Sequence, residues 1–124
     1  MHLPPCSPPP APVPCPFPVA IGTVRLSAPL VLAPLAGYSD LPFRLLCREH
    51  GAALCVSEMV SCHGLVFDQR NTFELMRTVD AERPFGLQLF GADPEVMGRA
   101  AALVDTRPAD LTEPNMGFPA RTVV

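Results

Sequence analysis

The sequence contains no lysine and no tryptophan, has one tyrosine, and has no cysteine pair at CxxC spacing. Its nine basic residues are all arginine, set against 12 acidic residues for a net charge of −3. They are scattered (Arg25, Arg44, Arg48, Arg70, Arg77, Arg83, Arg99, Arg107, Arg121) and form no stripe. Proteins that grip a phosphate backbone carry a clustered basic footprint, so this chain alone lacks the surface for tight RNA binding. The five cysteines (Cys6, Cys15, Cys47, Cys55, Cys62) and three histidines (His2, His50, His63) make no zinc pattern. An odd cysteine count without a pairing pattern reads as reduced thiols in a cytoplasmic protein. No apolar run reaches the roughly 18–20 residues of a membrane span. The N-terminus has neither the basic start nor the apolar stretch of a signal peptide, so the expectation is a soluble, cytoplasmic protein.

Proline is the residue in excess. Nine of the 17 prolines fall within residues 1–18. A stretch this dense in proline cannot donate a hydrogen-bond ladder and gains little by collapsing. Residues 1–18 therefore read as a polyproline-like, unpacked tail, a solvated extension or a stretch upstream of the true start, with docking of its PxxP spacing into an aromatic groove as the alternative. Residues 19–124 are the foldable part, the size of one small domain.

Within that domain a strand–helix alternation repeats. Val24-Arg25-Leu26 alternates like a short strand. Leu30-Val31-Leu32-Ala33 is an apolar run closed by Pro34-Leu35-Ala36-Gly37, as suits a strand buried on both faces. Ser39 or Asp40 caps a helix with Pro42 in its first turn, a core face of Phe43, Leu46 and Cys47, and Gly51 as its left-handed end. Leu54-Cys55-Val56 is a second buried strand ending at Ser57-Glu58-Met59, and residues 62–78 read as largely helical. Phe85–Phe90 is a third strand. Asp93-Pro94-Glu95 then starts a helix whose core face is Val96, Ala100, Leu103 and Val104. A fourth strand runs from Ala109-Asp110-Leu111 to Asn115, with Pro114 inside it, where a missing N–H argues against a central position.

Four strands alternating with three helices imply right-handed βαβ units and a parallel sheet. Half of an eight-stranded β/α barrel and a small doubly wound sheet both fit. No GxGxxG follows the first strand, which favours the barrel half. In either fold, ligands bind beyond the carboxyl ends of the strands. Those ends hold Pro34 to Gly37, Glu58, Gln88 and Asn115. An amide such as Gln88 donates and accepts at once, which suits the edge of a heteroaromatic ring, and the small Ala36-Gly37 pair lets a flat ligand approach the backbone. The plainer alternative is that Glu58 and Gln88 satisfy loop amides.

Four segments carry a resemblance. Ala33-Pro34-Leu35-Ala36-Gly37-Tyr38-Ser39-Asp40-Leu41-Pro42-Phe43-Arg44 is similar to the opening motif of the tRNA-dihydrouridine synthases. Ser57-Glu58-Met59-Val60 resembles their second-strand motif, and Arg83-Pro84 with Gln88-Leu89-Phe90-Gly91 and Asp93-Pro94-Glu95 the third. Asn115-Met116-Gly117-Phe118-Pro119 stands where that family has Asn-x-Gly-Cys-Pro. The resemblance implies a β/α barrel that holds FMN at its mouth, followed by a helical tRNA-binding domain. It also implies NADPH as reductant, hydride delivery to C6 of a tRNA uracil, and protonation at C5 by a cysteine. By position, Pro34, Leu35, Ala36 and Gln88 correspond to flavin-binding positions, while Asn115 and Glu58 fall on the substrate side.

Phe118 occupies the place of the catalytic cysteine, and a phenyl ring has no acidic hydrogen to give. Thr122 stands where a lysine is usual in the family. Cys62 is the other thiol expected near the mouth. A complete barrel takes roughly 200–250 residues, so this chain reads as truncated, lacking the later strands that carry the FMN phosphate site. The expectation is a chain inactive by itself. The alternatives are a non-catalytic half-barrel that binds flavin or a partner, by self-association or completion by another chain, and a decayed-gene fragment.

Overall fold

The computed structural model describes residues 19–117, so the proline-dense segment and the residues from Phe118 onward, Thr122 included, lie outside the described residues. The chain begins with an antiparallel hairpin, β1 (Val19–Ile21) and β2 (Val24–Leu26). Its turn holds Gly22 at a φ of +57°, a conformation glycine adopts without strain. Then come β3 (Val31–Leu32), α1 (Leu41–Glu49), β4 (Leu54–Ser61), α2 (Cys62–Val66), α3 (Arg70–Leu75), β5 (Phe85–Phe90), α4 (Pro94–Val104) and β6 (Leu111–Asn115).

Strands β3, β4, β5 and β6 lie side by side in chain order, and every neighbouring pair is parallel. A doubly wound sheet reverses its strand order partway. The unbroken order is instead that of successive β/α units walking around a barrel, of which this is the first half. The fold is α/β, as the alternation of elements requires.

The sheet's two faces differ in what covers them. Phe85, Leu87 and Leu89 of β5 pack with Leu65 of α2 and with Ala100 and Val104 of α4 in one buried cluster. Full burial of side chains of this size contributes roughly 1.5–3 kcal/mol each. Alternation along the strand sends Gly86, Gln88 and Phe90 to the opposite, inner face. At the amino end of that face, Leu26 of the hairpin and Ala28 just beyond it pack with Ala53 and Leu54, and Leu111 rests against them. A Cβ added at Gly86 would lie 2.9 Å from a Leu111 methyl and 3.3 Å from Val56, so the inner face is closed there by glycine. The hairpin thus plugs the amino end of the inner face and leaves the carboxyl end for polar groups.

The structure departs from sequence expectation in four places. β3 is short, and Leu30 and Val31 are exposed, because this strand is an edge of the four-stranded sheet. Phe43 and Leu46 of α1 are exposed, while the buried residue of that helix is Arg44. The 62–78 region is two short helices, broken where Asp68 takes a φ of +55°, followed by a 3-10 turn at Asp80–Glu82. Leu103 of α4 is exposed, and the core positions of that helix are Ala100 and Val104. The caps agree with expectation. Asp40 accepts from the Phe43 amide, and Asp93 accepts from the Glu95 and Val96 amides. Pro114 sits in β6, the other edge of the sheet, where its missing N–H is tolerated.

Candidate functional site

The carboxyl ends of the four parallel strands bring the sequence-derived candidates to one end of the sheet. The turn after β3 is the most organised part. The Ser39 hydroxyl donates to the Leu35 carbonyl at 3.1 Å and accepts from the Leu35 amide at 2.9 Å. The Tyr38 and Ser39 amides also donate to the Leu35 carbonyl, at 3.0 and 2.9 Å. Gly37 takes a φ of +78°, and a Cβ placed there would have nothing within 4 Å. The turn is closed underneath by Ser39 and open above Gly37, with Ala36 and Leu35 exposed. A planar group can lie against that backbone without meeting a side chain.

Glu58 reaches this turn because of an irregularity in β4. Val56 pairs with Gly86 and Met59 with Gln88, so three steps along β4 oppose two along β5. The extra residue is a β-bulge, which bends a strand and redirects a side chain. In the bulge, the Ser57 hydroxyl accepts the Gln88 amide at 3.1 Å and donates to the Glu58 carbonyl at 2.8 Å. Glu58 is directed toward β3, where its carboxylate accepts from the Gly37 amide at 2.5 Å. Glu58 therefore does hold a loop amide, and that amide belongs to the Pro34–Gly37 segment.

Gln88 lies on the inner face and is nearly fully buried. Its side-chain nitrogen donates to Glu113 of β6 at 3.1 Å, directly across the register pair Gln88–Glu113. A carboxamide carries two N–H groups and a carbonyl oxygen, so one bond to Glu113 fixes its orientation and leaves further hydrogen-bonding capacity. Asn115 pairs with Phe90, its nitrogen lies 3.8 Å from the Met59 sulfur, and its oxygen accepts from the Gly117 amide at 3.1 Å. Gln88, Glu113, Asn115 and Met59 thus share the inner face. A cleft of about 260 Å³, lined by Gly91, Asp93, Pro94, Met97 and Met116, opens beside β5 at the same end.

Cys62 is not part of this group. It opens α2, is fully buried, and belongs to the apolar cluster between sheet and helices. Burial pushes its thiol above the ordinary value, which suits a core residue and not a proton donor. Sequence reasoning missed Glu113, Ser39 and Ser57. Glu113 was accessible from alternation, standing two residues before Asn115 on the same face, whereas Ser57 acts through a bulge that no residue type announces.

A singly wound parallel α/β sheet, apolar at its amino end and polar at its carboxyl end, is the arrangement of the first β/α units of a β/α-barrel protein. The family profile described as Dihydrouridine synthase (Dus) matches residues 31–124. Over 103 residues the chain is 41% identical to the tRNA-dihydrouridine synthase B of Shewanella oneidensis, covering 83% of this chain and 32% of that protein. It is 39% identical to the tRNA-dihydrouridine synthase B of Escherichia coli, covering 83% and 32%. It is also 39% identical to a probable tRNA-dihydrouridine synthase of Treponema pallidum, covering 82% and 30%. The chain belongs to the dihydrouridine synthase family, and it spans about a third of the length of these relatives.

Proposed function

We propose that residues 19–124 are the flavin-facing part of an FMN-dependent tRNA-dihydrouridine synthase, acting in the cytoplasm on uridine in tRNA with NADPH as reductant. The observation that carries this reading is the Pro34–Gly37 turn. Its backbone is braced by Ser39 below and Glu58 beside it, with open space above Gly37. That surface suits one face of a fused planar ring, and the oriented Gln88 amide at the same end suits the ring's polar edge. Pro34, Leu35, Ala36 and Gln88 would hold the flavin. Bound there, FMN would supply the hydride for the uracil C6.

The chain's own residues bind and orient. Glu58 keeps the Gly37 amide in place, and Glu113 keeps Gln88 from rotating. Asn115, at the end of β6, and Glu58, beside the Gly37 turn, are the two residues we assign to the substrate side. Protonation at C5 requires an acidic hydrogen within hydrogen-bond reach. Phe118, at the position of the family's cysteine, supplies none, and Cys62 is buried in the core. We therefore read this chain as able to hold the flavin without completing the reduction. Strands β3 and β6 are the edges of the described sheet, and pairing with further strands, from another chain or a second copy, would cover them.

Incubation of the chain with FMN, NADPH and unmodified tRNA transcript tests the assignment. The expected result is no loss of uracil absorbance. Reduction by the unsubstituted chain would contradict the role given to position 118. In a full-length relative, replacing the matching cysteine by phenylalanine is expected to lower the reduction rate at least about 100-fold, the lower end of what a positioned general acid contributes.

A further inference from the structure

Arg44 is the largest fully buried side chain of the fold, and a helical arginine at that depth needs a reason. Its guanidinium is paired with the Glu82 carboxylate through two nitrogens, stands 4.8 Å from the centre of the Phe85 ring, and donates to the Arg77 carbonyl at 2.7 Å. Glu82 is itself fully buried and takes a further hydrogen bond from Thr78 at 2.9 Å. The remaining donor, Nη1, reaches the Ser39 carbonyl at 2.8 Å. Ser39, fully buried, is the residue whose hydroxyl bonds both backbone groups of Leu35. A continuous chain of contacts therefore runs from Glu82, through Arg44 and Ser39, to the turn that the proposed flavin site is built on.

We propose that Arg44, fixed by Glu82, is a positioning residue for the Pro34–Ser39 turn and, through it, for the ligand at the strand ends. The planar guanidinium meets Glu82, the Arg77 carbonyl and the Ser39 carbonyl at once, which a lysine ammonium on a flexible stem cannot reproduce. Glu58 braces the same turn at Gly37 from the strand side. With Arg44 on the helix side, the turn is gripped from both flanks and keeps its upper surface clear. The meaning of this for ligand binding rests on the flavin reading above; the dependence of the turn on Arg44 does not.

The test compares Arg44→Lys and Ser39→Ala with Val104→Ala, which weakens the core between β5 and α4 without touching the turn. Amide hydrogen exchange is followed at Leu35, Tyr38 and Ser39, and at Leu87 and Leu89 of β5. Arg44→Lys is expected to speed exchange at the three turn amides at least tenfold while the β5 amides change far less. Ser39→Ala is expected to do the same at Leu35, and Val104→Ala to act on the β5 amides instead. Turn amides at unsubstituted rates in Arg44→Lys, or all amides rising by a common factor, would overturn the proposal. A parallel titration follows quenching of FMN fluorescence. The apparent Kd is expected to weaken at least fivefold in Arg44→Lys and less than twofold in Val104→Ala. A loosened turn with an unchanged Kd would sever the turn from the ligand. No quenching by the unsubstituted chain would instead sink the flavin reading, with the exchange data still deciding the role of Arg44.

Discussion

At the scale of single residues, burial separates groups that look alike in the sequence. Cys47 is partly exposed, while Cys55 and Cys62 are buried, and all three are free thiols. Burial raises the Cys55 thiol to about 11, with Glu82 and Cys47 adding to the rise and Arg48 and Arg44 opposing it. The thiolate is the reacting species, so among these three thiols alkylation at pH 8 is expected to label Cys47 ahead of Cys55 and Cys62 and to leave the latter two largely unmodified, as mass spectrometry of digested protein would read. Labelling of Cys55 as fast as Cys47 would contradict its placement. The sign for stability follows from the same shift. The folded state holds the Cys55 proton more tightly than the unfolded chain, so this contribution is intact below pH 9 and is lost as pH rises through about 11. Residue types located the caps, Asp93 outright and the first as Ser39 or Asp40, of which the structure uses Asp40. They did not give Arg44. An arginine within a helix reads as solvated, and only the fold shows that a buried glutamate 38 positions away meets it.

At the scale of elements, alternation was legible and irregularity was not. Phe85-Gly86-Leu87-Gln88-Leu89-Phe90 alternates large apolar residues with others, and the structure splits them between core and inner face accordingly. The bulge in β4 follows from no pattern in Leu54–Ser61, yet it sends Glu58 to Gly37 and leaves the Gln88 amide to Ser57. The apolar content of residues 62–78 suggested one helix, but Asp68 in the left-handed region ends the first and lets the second fold back. That return is tight. A Cβ at Gly64 would lie 2.3 Å from the Thr72 hydroxyl, so Gly64→Ala is expected to force α2 and α3 apart. Overpacking of this kind costs about 1–3 kcal/mol, measurable as a lower urea midpoint at unchanged slope. A neutral substitution would show that the two helices do not meet there.

At the scale of the whole molecule, the described fold has a finished end and an unfinished perimeter. Leu26 of the β1–β2 hairpin and Ala28 just beyond it cover the amino end of the inner face, while β3 and β6 remain as edges. The apolar residues exposed near one edge, Leu30 and Val31 of β3 with Phe43 and Leu46 of α1, follow from the same geometry. In a barrel these surfaces face neighbouring β/α units. Sequence patterning assigned them to the core because it registers hydrophobicity and not which neighbour supplies the burial. Among the described residues no helix is long and apolar enough to cross a membrane. The parallel order and the strand-end placement of Glu58, Gln88 and Asn115 were legible from the strand–helix alternation, and the family from four short motifs. How those side chains are held was not, because the holding groups are distant in sequence.

Whether the strand ends receive a flavin decides the function of the fold. The direct measurement is a titration of the chain with FMN, followed by amide chemical shifts. Saturable shifts are expected at Leu35, Ala36 and Gly37 and at the Gln88 side chain, with the α2–α4 surface around Val66 and Leu103 unmoved. Shifts confined to that helical surface, or none that saturate, would contradict a flavin at the strand ends.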